Sequence, residues 1–433
     1  MSTTGQDQTP LEEVRVADRT NFRDGPPLEL FRRLRAECPV HWSDGITEYP
    51  DEDGYWSVTT ADDVFEVSRD WQTYSSEIGG FTAAKNAGVS LEMQQAMFIG
   101  MDPPKHDRLK ALFQRGFTPK RIAEHEEAIR AITIDVLDRL DGPPGRETCD
   151  LVTDVAQPVV SRVIGRFMGL PAEDDEVWAS LMNALVSAGD PDVTPEGAQM
   201  VMERDVPEVF ARCARLIAER RETPTDDLTS VLVHAELDGE QLEDHEIVMG
   251  FVLLMAAGND STKATYCSGM RALMENPDQR RQVVQDASLV PAVVEESLRM
   301  FPAFGHFART ATRDTELHGQ TIREGEKLVM WYPSSNRDET RYEDPDRFDI
   351  TRWSNGGCSP EASVPPLRSE HQAFGAGGRH FCLGTALARL ELRILIEETL
   401  ERYPEMEIAG NPTYVESPFA NQHKTLPVRL RPL

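Results

Sequence analysis

The chain has 433 residues, and its 74 acidic against 45 basic side chains give a formal charge of −29. So acidic a chain excludes a nucleic-acid-binding surface, which needs a basic stripe to meet the phosphates. Its six cysteines, at 38, 149, 213, 267, 358 and 382, form no CxxC pair, which excludes a disulfide framework or a zinc site and fits a reducing cytoplasm.

The opening MSTTGQDQTP is polar, so no signal peptide is expected, and the first twenty residues are expected to be flexible. Leu28, Leu30, Phe31 and Leu34 recur at helical spacing within Pro27–Glu37. Val40–Trp42 and Tyr55–Thr59 alternate around Asp-Gly punctuation and predict a hairpin, followed by a helix from Ala61 to Asp70. Tyr74–Gly100 holds no stable period, and a loop of that length is uncommon unless functional. A helix then starts after the proline stop in MDPPKHDRLK (Met101–Lys110).

Helical periodicity continues over Ile122–Leu140, Val155–Met168, Asp174–Ala188, Pro195–Arg221 and Leu228–Leu237, with a break at Gly189–Pro191. Gln241–Asn276 predicts one long helix stopped before Pro277, apolar nearly all round in its middle and therefore expected in the core. Its apolar run Ile247–Gly258 is too short to span a bilayer, so no membrane anchor is expected. Inside this helix Ala256–Thr262 (AAGNDST) places a glycine, an acid and two hydroxyls in a core setting, where such groups are costly. Taken alone, that pattern equally fits a close helix crossing whose polar groups bond to backbone.

Val293–Met300 continues as helix and carries Glu296 and Arg299 on one face. Phe307–Asp314 and the blocks 316–319, 321–325 and 327–332 predict strands joined by turns. The stretch Phe374–Arg389 (FGAGGRHFCLGTALAR) gathers Gly375, Gly377, Gly378 and Gly384 around Cys382 and turns into a helix. Small residues on both sides admit a large flat ligand to the backbone. A cysteine just ahead of a helix favours a thiolate, although a lone cysteine beside glycines also reads as a small buried hydrophobe.

This stretch resembles the cysteine-ligand loop of the cytochrome P450 monooxygenases. Further matches extend the resemblance over nearly the whole chain. AAGND-Ser-Thr resembles the oxygen-handling helix, Glu296-Ser-Leu-Arg299 with Pro345–Phe348 resembles the Glu-x-x-Arg and Pro-Glu/Asp-Arg-Phe pair, and His106 and Lys110 stand where the family has His-x-x-x-Arg. One departure is that Phe374 lies eight residues before Cys382, where seven is commoner. Lengthened loops of this kind, with MDPPKHDRLK, GFTP (Gly116–Pro119) and RTATRDTEL (Arg309–Leu317), are similar to an actinobacterial branch that includes sterol and methyl-branched-lipid hydroxylases.

The resemblance implies a mainly α fold with small β-sheets (α+β), a single P450 domain over 1–433, with its β-rich portion near 38–60, 305–333 and 410–433. It implies haem b held by Cys382 as the axial iron ligand, with His106, Lys110, Arg309, His380, Phe374, Gly377 and Gly384 binding the cofactor. Asp260, Ser261 and Thr262 would pass protons to iron-bound dioxygen. Serine at 261, where the family usually has threonine, keeps the hydroxyl and loses the methyl that restricts its rotamer, so more uncoupling to peroxide is expected. Glu296, Arg299 and Arg347 would form a buried structural network. Ile78, Phe81, Leu253, Leu254, Ala257, Phe304 and Phe419 would line the pocket for an apolar small molecule. A sterol side chain or methyl-branched lipid is favoured over a smaller terpenoid, fatty acid or aromatic. Electrons would come from a ferredoxin and its reductase, docking near Lys110, Arg115, Arg379 and Arg389. A peroxide-using P450 is disfavoured by Asp260 and Ser261, and a non-catalytic haem-binding or sensor protein is the alternative of another class.

Overall fold

The structure is a computed structural model, and it describes residues 9–431 apart from 86–88, 141–146, 187–189, 191, 193–194, 238 and 354–370. Cys358 and the expected break at Gly189 and Pro191 lie outside the described residues.

A helix of 32 residues, Asp244–Glu275, runs through the core. Glu243 and Glu246 close its start with a reciprocal capping box, and Asn276 ends it ahead of Pro277. It packs against helices Gln157–Met168, Asp175–Val186, Val206–Glu222, Val290–Met300 and Thr385–Arg402. Close approach depends on Gly250, where an added Cβ would stand 1.9 Å from the Phe113 ring. The helix predicted as Ile122–Leu140 is two helices, Pro119–Glu124 and Glu126–Asp138, turning at His125.

A five-stranded sheet lies to one side, in the order Val40–Ser43, Tyr55–Val58, Lys327–Trp331, His306–Ala311, Tyr74–Ser75. Lys327–Trp331 pairs parallel to Tyr55–Val58 and antiparallel to His306–Ala311. It is buried throughout because both faces are covered. Leu328 and Met330 face a cluster with Val64, Val67 and Tyr74, while Val329 and Trp331 face one with Phe22, Phe31 and Leu34. The short strand Tyr74–Ser75, read from sequence as loop, pairs with Ala311 and Thr310 and so ties the start of the segment after it to the sheet.

Among the described residues four smaller sheets complete the β portion: Thr148–Asp150 with Pro427–Arg429 and Glu407–Ile408, Thr413–Tyr414 with His423–Thr425, Glu236–Leu237 with Glu240–Gln241, and Thr315–Leu317 with Gln320–Ile322. The expectation that residues up to 20 are flexible is corrected from residue 9 onward. Val16 and Ala17 are buried, Ala17 N–H donates to the Tyr55 hydroxyl (2.6 Å), and His41 Nε2 meets the Val14 carbonyl (3.1 Å). Those hydrogen bonds come from residues distant in sequence, so composition alone misses them. No described helix is long and apolar enough to cross a membrane.

Candidate active site

The long helix, the Cys382 loop, residues 81–84 and 89–99 and the C-terminal hairpin loop enclose one cavity of about 340 Å³. Cys382 opens into it from a loop held by its own backbone. Cys382 N–H donates to the Phe374 carbonyl (3.0 Å), and Thr385 Oγ1 donates to the Cys382 carbonyl (2.9 Å) as the helix Thr385–Arg402 begins. Gly378, at φ +83°, lies where a Cβ would be 2.7 Å from the Ser68 carbonyl, so this turn has room for glycine alone. Gly384 and Phe374 line the cavity as expected. Gly377 does not; its carbonyl accepts from Ser68 Oγ (2.9 Å), so it seats the loop on the helix Ala61–Arg69. Arg389 stacks over the Phe374 ring at 4.8 Å.

Burial pushes the Cys382 thiol up, against the opposing pull of the Gly384 N–H and the Lys110 charge. The sequence expectation of a thiolate counted the helix terminus and left out this desolvation. A thiol so placed gives up its proton to a metal's charge.

Beside the sulfur lies a cluster of basic side chains, Arg309 and His106 buried and Lys110 and His380 partly so. Arg309 is buried, its Nη1 donates only to the Ala308 carbonyl (2.7 Å), and among the described residues no carboxylate pairs with it. His106 and His380 lie with ring centroids 4.2 Å apart and planes tilted by 55°, and His380 Nε2 meets Ser76 Oγ at 3.1 Å. Burial holds Arg309, His106 and His380 below their usual pKa values, and burial also brings Lys110 down to about 8. A buried arginine without a counter-ion is costly, and an anionic group placed between these side chains removes that cost. A soft sulfur donor, a flat apolar cradle and convergent cations are the donor set that a haem with its two propionates requires. The residues present fit that group.

Across the cavity the long helix presents Ala257, Gly258, Ser261, Thr262 and Thr265. Ser261 Oγ donates to the Ala257 carbonyl one turn back (2.7 Å), which leaves the hydroxyl free to accept. Asp260 is not on this face. Its carboxylate pairs with Lys263, whose ammonium also donates to Gln157 Oε1 (2.8 Å), at the crossing with Gln157–Met168. Its second oxygen, Oδ2, is buried without a hydrogen-bond partner. The Lys263 pair holds the Asp260 carboxylate at that crossing, so Asp260 does not line the cavity while Ser261 and Thr262 do. Sequence reasoning missed Glu391, which lines the cavity next to Thr262. Burial pushes it up to about 8, with the Thr262 hydroxyl opposing. An acid within a helical stretch carries no local mark of this role; only the facing of two helices reveals it.

Phe81, Leu253, Leu254, Ala257, Phe304 and Phe419 line the cavity, and Phe304, Phe307 and Phe419 form a packed aromatic wall. Ile78 is corrected: it is 53% exposed and outside the lining, because Ser75 and Ser76 bond Asp102 and turn the chain outward there.

Behind the loop, Glu296 and Arg299 are fully buried and paired through two hydrogen bonds of 2.7 and 2.9 Å. Arg347 does not join them. Its side chain is 67% exposed and only its carbonyl meets Arg299. The third member is Arg352, 16% exposed, with Nε 3.4 Å from Glu296; Trp353 Nε1 adds a hydrogen bond of 2.9 Å. Of the four expected docking cations, Arg115 and Arg379 are exposed. Arg389 instead pairs with buried Glu295, and Lys110 turns inward and donates to the carbonyls of Arg379 and Phe381 with one N–H left over.

Residues 47–412 match the family model for cytochrome P450. The chain belongs to the cytochrome P450 family. It is 34% identical to the methyl-branched lipid omega-hydroxylase of Mycobacterium tuberculosis (strain ATCC 25618 / H37Rv) over 97% of this chain and 96% of that protein. It is 32% identical to the steroid C26-monooxygenase of the same organism, over 98% of each. The Mycobacterium marinum cytochrome P450 CYP268A2 in complex with pseudoionone superposes with a TM-score of 0.87 at 33% identity, covering 99% of this P450 and all of that chain. This P450 is therefore a haem-dependent monooxygenase that takes electrons from a redox partner and acts on an apolar substrate.

Proposed function

We propose that this P450, one domain over 1–433, uses haem b bound through Cys382 to hydroxylate an unactivated C–H bond in a sterol side chain or a methyl-branched lipid. The observation that carries the reading is the cavity itself, in which one sulfur, a cluster of basic side chains and an apolar aromatic wall share a single enclosed space. The two relatives' names support the substrate class.

When bound, the haem supplies dioxygen activation and C–H oxidation. His106, Lys110, Arg309 and His380 hold its propionates, which compensates their desolvation. Ser261 orients the last proton donor through its hydroxyl. Asp260, one position before Ser261 and paired with Lys263, relays protons by turning its uncommitted Oδ2. Thr262 and the neutral Glu391 form a second hydroxyl–acid pair on the same wall. Phe304, Phe307 and Phe419 exclude water from the reacting carbon. Electrons arrive from a ferredoxin and ferredoxin reductase at the Arg115 and Arg379 surface, in the cytoplasm.

The complex of the related structure with pseudoionone favours one second reading, hydroxylation of a smaller terpenoid. Optical titration of the ferric enzyme with cholest-4-en-3-one, a methyl-branched fatty acid and a monoterpene, followed by product analysis, separates the two. A saturable low-to-high-spin shift and a side-chain alcohol from the sterol or branched acid support the proposal. A shift and product from the monoterpene alone overturn it.

A further inference from the structure

The cavity has a polar stretch that the reaction does not use. Arg19, Glu48, Tyr49 and Glu416 line it, where the turn Arg19–Phe22, the link between the first two strands and the C-terminal hairpin loop converge. Of these elements only the hairpin loop also serves the Cys382 side, through Phe419. Glu48 Oε1 accepts the backbone N–H of Arg19 (3.1 Å). The Arg19 guanidinium leans instead toward Glu416, with Nε 3.8 Å from Oε2. Glu48 Oε2 is left buried with no hydrogen-bond partner among the described residues.

A carboxylate oxygen taken out of water calls for a donor, and leaving it unmet costs more than a hydrogen bond returns. Arg23 (2.8 Å) and Arg19 both lie against Glu416, so the carboxylate that repels an anionic ligand end here is Glu48 itself. A ketone oxygen only accepts and cannot serve Glu48, and a free carboxylate meets like charge. A neutral hydroxyl meets both conditions.

We propose that Glu48 is a specificity residue that receives the hydroxyl of an elongated apolar alcohol, so the substrate is a hydroxylated lipid of the 3-hydroxysterol kind, selected over the matching ketone. This deepens the proposed function and rests on it. The remote hydroxyl anchors one end of the molecule while its hydrocarbon tail reaches the Cys382 side.

The test is a pair of spin-state titrations of the purified ferric holoenzyme with cholesterol and cholest-4-en-3-one, which differ at the ring end as alcohol and enone. The wild-type enzyme is expected to bind the alcohol about tenfold more tightly, the worth of one hydrogen bond to a charged acceptor. Glu48→Gln keeps the size and the acceptor for Arg19 N–H but offers the ligand an amide donor, so the ratio falls to about one or reverses. A general packing defect weakens both ligands and leaves the ratio alone. Equal wild-type affinities, or a ratio unchanged in Glu48→Gln, overturn the proposal, while side-chain hydroxylation of either sterol keeps the monooxygenase reading. If Glu48→Gln takes up no haem, the wild-type ratio alone decides. No shift with either sterol overturns both the specificity proposal and the sterol reading.

Discussion

Arg352, not Arg347, completes the buried network behind the cysteine loop, and the two arginines make a sharp comparison. Glu296 is fully buried and accepts from Arg299 twice, from Trp353 Nε1 and from the Asp349 N–H (3.0 Å), with Arg352 beside it. Arg299 also donates to the carbonyls of Asn336 and Pro345, each at 2.9 Å. Arg299→Met therefore strands a buried carboxylate, a change that costs about 3–5 kcal/mol. With an unfolding entropy of about 2.1 cal/mol/K per residue, a chain of this length changes Tm by roughly 1 °C per kcal/mol. Arg299→Met should lower Tm by about 3–5 °C by this scale. Arg352→Ala leaves the Arg299 pair in place and should cost about 1–2 kcal/mol, hence about 1–2 °C. Arg347→Ala removes an exposed side chain whose nearest carboxylate is 3.9 Å away, and should cost under about 0.5 kcal/mol. The assay is loss of haem absorbance on heating at one fixed scan rate, since large proteins unfold irreversibly. A loss in Arg347→Ala equal to that in Arg352→Ala would refute the reasoning.

Ser261→Ala should leave substrate affinity unchanged while diverting more reductant to peroxide, measured as product formed per NADH consumed; unchanged coupling removes the hydroxyl from the proton path. Glu391, pushed up to about 8 by burial, is neutral in the fold while the unfolded chain ionises near 4.5. Wild-type stability therefore falls as pH rises from about 4.5 toward 8, by at most about 1.4 kcal/mol per unit, and Glu391→Gln should flatten that slope in pH-dependent melting. His306, held at about 4 by burial, bridges the Ala83 N–H and the Pro418 carbonyl, each at 3.0 Å. Its ordinary value is 6.5, so the unfolded chain protonates first and stability falls as pH drops from about 6.5 to 4. His306→Gln should lose part of that acid sensitivity; an unaltered profile places the titration elsewhere.

The long helix, the opening hairpin and the cysteine loop were readable because each carries local chemistry: a sustained apolar period, Asp-Gly punctuation, or glycines around a sulfur. Residues whose role depends on tertiary facing were not. Asp260 and Ser261 are adjacent in sequence, yet only Ser261 and Thr262 reach the cavity. Arg347 sits in the expected motif, but the chain turns its side chain out and brings in Arg352 from the next turn of chain. Ile78 is apolar and near the right segment, but its neighbours Ser75 and Ser76 bond Asp102 and leave it outside. Glu391 and Glu48 gave no local signal, since what marks each is an environment assembled from distant strands and helices.

The account stands most directly on the Cys382 sulfur as the axial ligand. The measurement is the ferrous carbon monoxide difference spectrum of the wild-type protein and of Cys382→Ser, each with its haem content determined. The account predicts a thiolate-type Soret band in the wild type that is absent from Cys382→Ser. A thiolate band that survives the substitution, or a wild-type protein that binds haem without one, would contradict it.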